Sequence, residues 1–169
     1  IFFELLKTQL FFNENLSANI SLNTKFRKKD EIFNRAKFNF NIVNGIINFN
    51  QTKLINDKIG SLEVVSSILS SDENKLILNS DIMIDIKNSK NLFSYLQTPK
   101  YKRNLIEKVY FNIDYDFSTD QIFINNFRID DGDNENEIVR TINDFYINKD
   151  NNINTTRNML NKLFLLYEG

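Results

Sequence analysis

The stretch Lys75-Leu76-Ile77-Leu78-Asn79-Ser80-Asp81-Ile82-Met83-Ile84-Asp85-Ile86 decides how this chain folds. Leu76, Leu78, Ile82, Ile84 and Ile86 fall on one parity. Successive side chains of an extended chain point to opposite faces, so the segment predicts a strand with one apolar side. Just downstream, the spacing predicts a short helix over Asn91 to Gln97, and Thr98-Pro99-Lys100 breaks it. Two more strands follow, from about Val109 to Phe117 and from about Gln121 to Asp130, joined by Ser118-Thr119-Asp120.

The same period of two runs backwards toward the N-terminus. Leu16, Ala18, Ile20, Leu22 and Phe26 alternate with Ser17, Asn19, Ser21, Asn23, Lys25 and Arg27, which predicts a strand with one apolar and one wet face. Arg27-Lys28-Lys29-Asp30 is a solvated turn. Ala36, Phe38, Phe40 and Ile42 resume the alternation and meet Asn44-Gly45, a hairpin signal because a type I′ turn needs positive φ. Ile47 and Phe49 carry the return strand. Leu62, Val64 and Ile68 mark another strand, turned by Ser71-Asp72-Glu73-Asn74 into the one that starts near Leu76. The first dozen residues fit a helical face (Phe2, Leu5, Leu6, Leu10) and a strand (Leu10-Phe11-Phe12) equally well.

The last forty residues change period. Asn134-Glu135-Asn136-Glu137 has the capping-box form and opens a helix with Ile138, Ile142 and Phe145 on one face. Asn154 or Thr155 caps a second helix, whose stripe is Met159, Leu160, Leu163, Phe164 and Tyr167. The expected fold is α+β and mainly β: an antiparallel meander sheet, curved and able to form a groove, with a short mid-chain helix and two C-terminal helices. Strands occupy about 16–130 and helices about 135–167 of a single 169-residue domain.

Composition narrows the chemistry. With 21 Lys and Arg against 22 Asp and Glu, nothing pulls the chain toward nucleic acid. The absence of Cys removes thiolate nucleophiles and Cys-ligated metal sites, and the absence of His removes the commonest general base. No cofactor is implied. No stretch approaches the roughly 20 apolar residues of a membrane-spanning helix. Ile1 to Phe12 is interrupted by Glu4, Lys7 and Gln9, and the chain starts at Ile1, so it reads as a piece of a longer protein.

Three polar groupings offer side chains that could carry chemistry. Asp130-Asp131-Gly132-Asp133, with Glu135 and Glu137, would serve as a calcium loop only with oxygen ligands spaced around a glycine at its sixth position, but counting back from Gly132 puts Phe127, which cannot be a ligand, at the first position. A turn feeding a helix N-terminus accounts for these acids, because the macrodipole favours carboxylates there. Asp114 and Asp116 share the polar face of one strand and suit acid-base work only if a base or cleft accompanies them. Lys100, Lys102 and Arg103, with Arg128, form a basic cluster able to meet a phosphate or lipid headgroup, or to cap helix carbonyls.

Asp85-Ile86-Lys87-Asn88-Ser89 with Leu92-Phe93, Gln97-Thr98-Pro99-Lys100 with Arg103, Phe111-Asn112-Ile113-Asp114-Tyr115-Asp116, and Asn125-Asn126-Phe127-Arg128-Ile129-Asp130 are loosely spaced blocks. In these blocks, from roughly Phe33 to the C-terminus, the chain resembles the C-terminal portion of AsmA-like proteins, particularly those of AT-rich marine alphaproteobacteria. The resemblance implies a periplasmic β-groove held to the inner membrane by an N-terminal anchor absent from this fragment. It also implies a non-enzymatic role in moving phospholipid between membranes and in outer-membrane assembly. The partners would be phospholipid acyl chains and the membrane, with no nucleic acid.

From alternation alone, the candidate groove-lining residues are Leu62, Val64, Ile82, Ile84, Ile86, Phe111, Ile113 and Tyr115. Lys100, Lys102 and Arg103 are the headgroup candidates. A core and a groove ask for the same residues. The alternative is therefore a structural module whose helices cover the sheet, which binds no lipid and acts by edge pairing or as a terminal cap.

Overall fold

The computed structural model describes residues 6, 8, 10–26, 32–72, 75–130, 132, 140, 161 and 162. Among them, eight strands form one sheet: β1 (Ala18–Lys25), β2 (Arg35–Val43), β3 (Ile46–Asn48), β4 (Lys53–Asn56), β5 (Gly60–Asp72), β6 (Lys75–Ile86), β7 (Lys108–Asp116) and β8 (Gln121–Ile129). One helix, α1 (Ser89–Leu96), lies between β6 and β7. The order is β1-β2-β3-β5-β6-β7-β8, with β4 also pairing with β2 and β5, and every pairing is antiparallel. The chain is thus mainly β, a meander in which neighbours in sequence are neighbours in space. The expected C-terminal helices fall outside the described residues, apart from Arg140, Asn161 and Lys162, which are helical.

Local chemistry explains most turns. Asn44 and Gly45 adopt φ of 50° and 75°, as the β2–β3 hairpin requires. A Cβ on Gly45 would stand 2.6 Å from the Phe12 carbonyl oxygen, so the hairpin tip also needs a bare backbone for the N-terminal segment to cross it. α1 starts where Asn88 Oδ1 accepts the Asn91 N–H at 3.0 Å. It ends where Gln97 turns left-handed at φ 57° and its N–H meets the Phe93 and Ser94 carbonyls.

β3 and β4 together fill one strand position. Residues 49–52 loop out between them, held because the Gln51 N–H donates to the Val64 carbonyl (2.8 Å) and the Val64 N–H to the Thr52 carbonyl (2.9 Å). β5 bulges between Val64 and Ser66, and β8 carries an extra residue against the Asn112/Ile113 step of β7. The first bulge corrects an expectation of the sequence. Leu62 and Val64 share a side with Ile84 and Ile82, but beyond the bulge it is Leu69, opposite Leu78, that continues that side. Ile68 pairs with Asn79, faces the other way and is 58% exposed.

Two cores sit on the apolar side, at opposite ends of β6. Near Ile86, α1 covers the sheet with Phe93 and Leu96, packed among Ile106, Val109, Phe127 and Ile129. Near Leu76, Phe40, Ile42, Ile47 and Leu69 gather under Leu6, with Phe11, Phe12 and Leu16 against them. Burying such side chains contributes roughly 1.5–3 kcal/mol each, which pins both ends of the sheet.

A candidate apolar face and its polar reverse

Cross-strand register brings the eight groove candidates to one face. Leu62 stands opposite Ile84 and Val64 opposite Ile82, and Ile82 in turn stands opposite Phe111. Ile113 lies across from Ser80, Tyr115 from Leu78, and Ile86 from Gly60. Seven of the eight are half-buried. Ile86 is 7% exposed and belongs to the core under α1, against which Ile84, Phe111 and Ile113 also pack. Tyr115 is held at the far end, its ring edge-on to Phe117 at 4.5 Å and its hydroxyl donating to Asp120 Oδ1 at 2.5 Å. That bond to a carboxylate favours the protonated phenol and raises its pKa.

The face extends further than the candidates. Ile20 and Leu22 on β1 pair with Phe40 and Phe38 on β2. Ile20, Leu22 and Phe38 are 48%, 58% and 37% exposed, more open than any of the eight residues singled out from sequence. Their alternation was visible from Leu16 onward. What it lacked was any sign that, among the described residues, no element covers this end.

The opposite face is mainly a hydrogen-bonded polar surface, on which Val43, Ile46, Ile68 and Phe123 also stand exposed. Asp81 accepts from Ser66 Oγ (2.5 Å) and Asn112 Nδ2 (2.8 Å), and these bonds, Ser66 first, hold its carboxyl below the usual aspartate range. Asp114 accepts from Asn79 (2.7 Å) and Asn125 (2.6 Å). Lys53 Nζ lies 2.7 Å from Glu63 Oε2, and Arg128 lies 4.7 Å over the Tyr110 ring. These groups border an open depression of about 610 Å³ lined in part by Glu63, Asp81, Tyr110, Asn112 and Arg128. No local pattern announced it, because it lies beside the two bulged steps.

The remaining candidates are engaged locally. Asp116 Oδ1 accepts the Ser118 N–H (2.7 Å) and the Thr119 N–H (3.3 Å); the Ser118 bond, above all, lowers its pKa. Asp114 and Asp116 therefore serve a polar row and a turn, respectively. Asp130 Oδ1 bridges the Glu107 and Lys108 N–H groups at 2.9 and 2.7 Å, closing the end of β7 against β8. Its acidic neighbours Asp131, Asp133, Glu135 and Glu137 lie outside the described residues. Among the described residues, no group of three or more His, Cys, Asp or Glu gathers as metal ligands would.

In the basic cluster, Arg103 Nε donates to the Thr98 carbonyl at 2.9 Å, in the turn just past the end of α1. Lys100 is exposed at the start of a 3₁₀ turn that runs through Lys102. Arg128 is engaged elsewhere, over Tyr110. No helix among the described residues is long and apolar enough to cross a membrane. No family model, no curated protein and no solved structure matches the chain.

Proposed function

We propose that this domain is a non-enzymatic β-groove module that shields phospholipid acyl chains on its apolar face, as the AsmA-like family it resembles would do. One observation carries the reading: Leu62, Val64, Ile82, Phe111 and Ile113 form a half-buried apolar band between the two pinned ends of β6, and it opens at Ile20, Leu22 and Phe38. Each methylene laid on such a band gains about 0.8 kcal/mol, so part of an acyl chain is held without any covalent step. Headgroups stay in water, with Lys100, Lys102 and Arg103 as their candidate contacts. The periplasmic location, the membrane anchor beyond this segment, and the roles in lipid transfer and outer-membrane assembly belong to the same proposal and rest on the resemblance. A sheet whose apolar face is fully covered, binding no lipid, is the second reading. It is favoured by Ile86 already lying beneath α1.

Native mass spectrometry with lipid extraction, on chain purified from a bacterial host, separates the two. Phospholipid near one per chain is expected. A folded, lipid-free chain overturns the groove. Phe38→Lys places charge on the open part of the face, and lipid should then be lost while the circular dichroism spectrum is retained.

A further inference from the structure

Among the described residues, β1 and β8 are the two outer edges of the sheet, and they differ. β8 carries a bulge against the Asn112/Ile113 step, and its Ile124, Phe127 and Ile129 are buried. A bulge turns an edge away from an incoming strand. β1 pairs with β2 over eight consecutive residues with no register shift, and all of β1 beyond Ala18 is exposed. Its one charge, Lys25, stands at its very end, so its outer row of backbone N–H and C=O groups is a regular template.

We infer that β1 pairs antiparallel with β1 of a second copy of this chain, in a register centred on Ser21. In an antiparallel ladder, hydrogen-bonded and non-hydrogen-bonded pairs alternate, so a two-fold axis must pass through a residue pair and cannot lie between two unlike pairs. Every register that symmetry admits therefore sets apolar parity against apolar parity, and polar against polar. Centred on Ser21, Ile20 meets Leu22 of the second copy on both sides of the axis, and Asn19 meets Asn23 of the second copy.

The polar face selects this register. Asn19 Nδ2 donates to Asn41 Oδ1, and Asn41 Nδ2 donates to Asn48 Oδ1 at 2.9 Å, so Asn19 Oδ1 is the outermost acceptor of a one-directional amide row. The amide of Asn23 in the second copy continues that row, whereas centring on Leu22 would set Lys25 there. The two Lys25 side chains end up at opposite ends of the new ladder and do not repel. Because the axis is perpendicular to the sheet, the apolar faces of both copies lie on one side and form a continuous surface through Ile20 and Leu22. The inference rests on the β1 edge and holds whether or not that surface carries lipid.

The chain has no cysteine, which makes the register directly testable. Ser21→Cys should be joined to its counterpart by a short bifunctional thiol reagent, because directly opposed Cβ atoms lie about 4.5–5.5 Å apart, close to but beyond the reach of a disulfide. Asn19→Cys and Asn23→Cys should each cross-link poorly alone and readily when mixed. Sedimentation equilibrium should give twice the monomer mass for the parent chain. Ile20→Lys with Leu22→Lys should raise the dimer dissociation constant at least tenfold, at exposed positions where the melting temperature should hold. Two outcomes overturn the inference: a parent chain that stays monomeric across the concentration series, which leaves the edge to a strand of some other protein, or Ser21→Cys cross-linking no better than Asn19→Cys.

Discussion

Thr52 and Asn39 exchange two hydrogen bonds where the strand beside β2 is interrupted: the Asn39 N–H donates to Thr52 Oγ1 at 3.0 Å, and that hydroxyl donates back to the Asn39 carbonyl at 3.2 Å. Both residues are buried, at 6% and 9% exposure. β2 pairs with β3 at Asn41 and with β4 at Lys37, so Asn39 lies in the gap and a side chain stands in for the missing backbone partner. Asn39 Nδ2 then fastens the loop by donating to the Asn50 and Gln51 carbonyls.

Thr52→Val keeps the shape and removes the hydroxyl, leaving the buried Asn39 N–H unsatisfied. A loss of about 1–3 kcal/mol is expected, while Thr52→Ser should stay near the parent. Urea denaturation of the two variants measures the difference, and equal midpoints would contradict the splice.

Gly45→Ala sets a Cβ against the Phe12 carbonyl at a φ of 75°, beside a point where the Gly45 N–H ties the hairpin to the Leu16 carbonyl at 3.1 Å. The substitution should destabilise by more than about 1 kcal/mol, through left-handed strain and the lost approach of the N-terminal segment. Thermal melting of Gly45→Ala beside Asn44→Gly, which relieves strain at the neighbouring φ of 50°, would show a drop for the first only.

The β5 bulge makes opposite predictions for adjacent residues. Ile68→Lys lies on the wet face at 58% exposure and should change stability by no more than about 0.5 kcal/mol. Leu69→Lys buries a charge in the Leu76 core at 2% exposure and should cost several kcal/mol or abolish folding. Had the strand run without the bulge, the order would be reversed, so chemical denaturation of the pair tests the register.

Acid should unfold the protein through its polar face. Asp81 and Asp116 have depressed pKa values in the folded chain, so their contribution to stability is complete above the unfolded aspartate pKa and disappears as pH falls through the folded values. The urea midpoint should therefore be level from about pH 7 to 5 and fall below about pH 4. Asp116→Asn keeps an acceptor for the Ser118 N–H without titrating and should flatten that fall. Tyr115 works in the other direction: its raised pKa contributes stability that is complete below the unfolded tyrosine value and is lost as pH rises through the folded one.

Much of the sheet was legible because its determinants are local. Alternation at Leu16 to Phe26, Ala36 to Ile42 and Leu76 to Ile86 specifies extended chain and one apolar side, and Asn44-Gly45 specifies a turn through its own φ angles. Asn88 and Gln97 bound a helix by hydrogen bonds to their near neighbours, which is why the expected span of 91–97 lies within two residues of Ser89–Leu96.

The bulges, the β3–β4 interruption and the fate of each apolar residue were settled only in three dimensions. Ile68 and Leu69 look alike in sequence, and a bulge that depends on the partner strand decides which of them faces the core. Likewise Ile82 and Ile86 share a strand and a parity, but Ile86 is buried in the cluster that Phe93 and Leu96 of α1 complete, while Ile82 lies outside that cluster and stays half-buried. Parity is a property of the chain itself, whereas cover is supplied by residues distant in sequence, so only packing could distinguish core from open face.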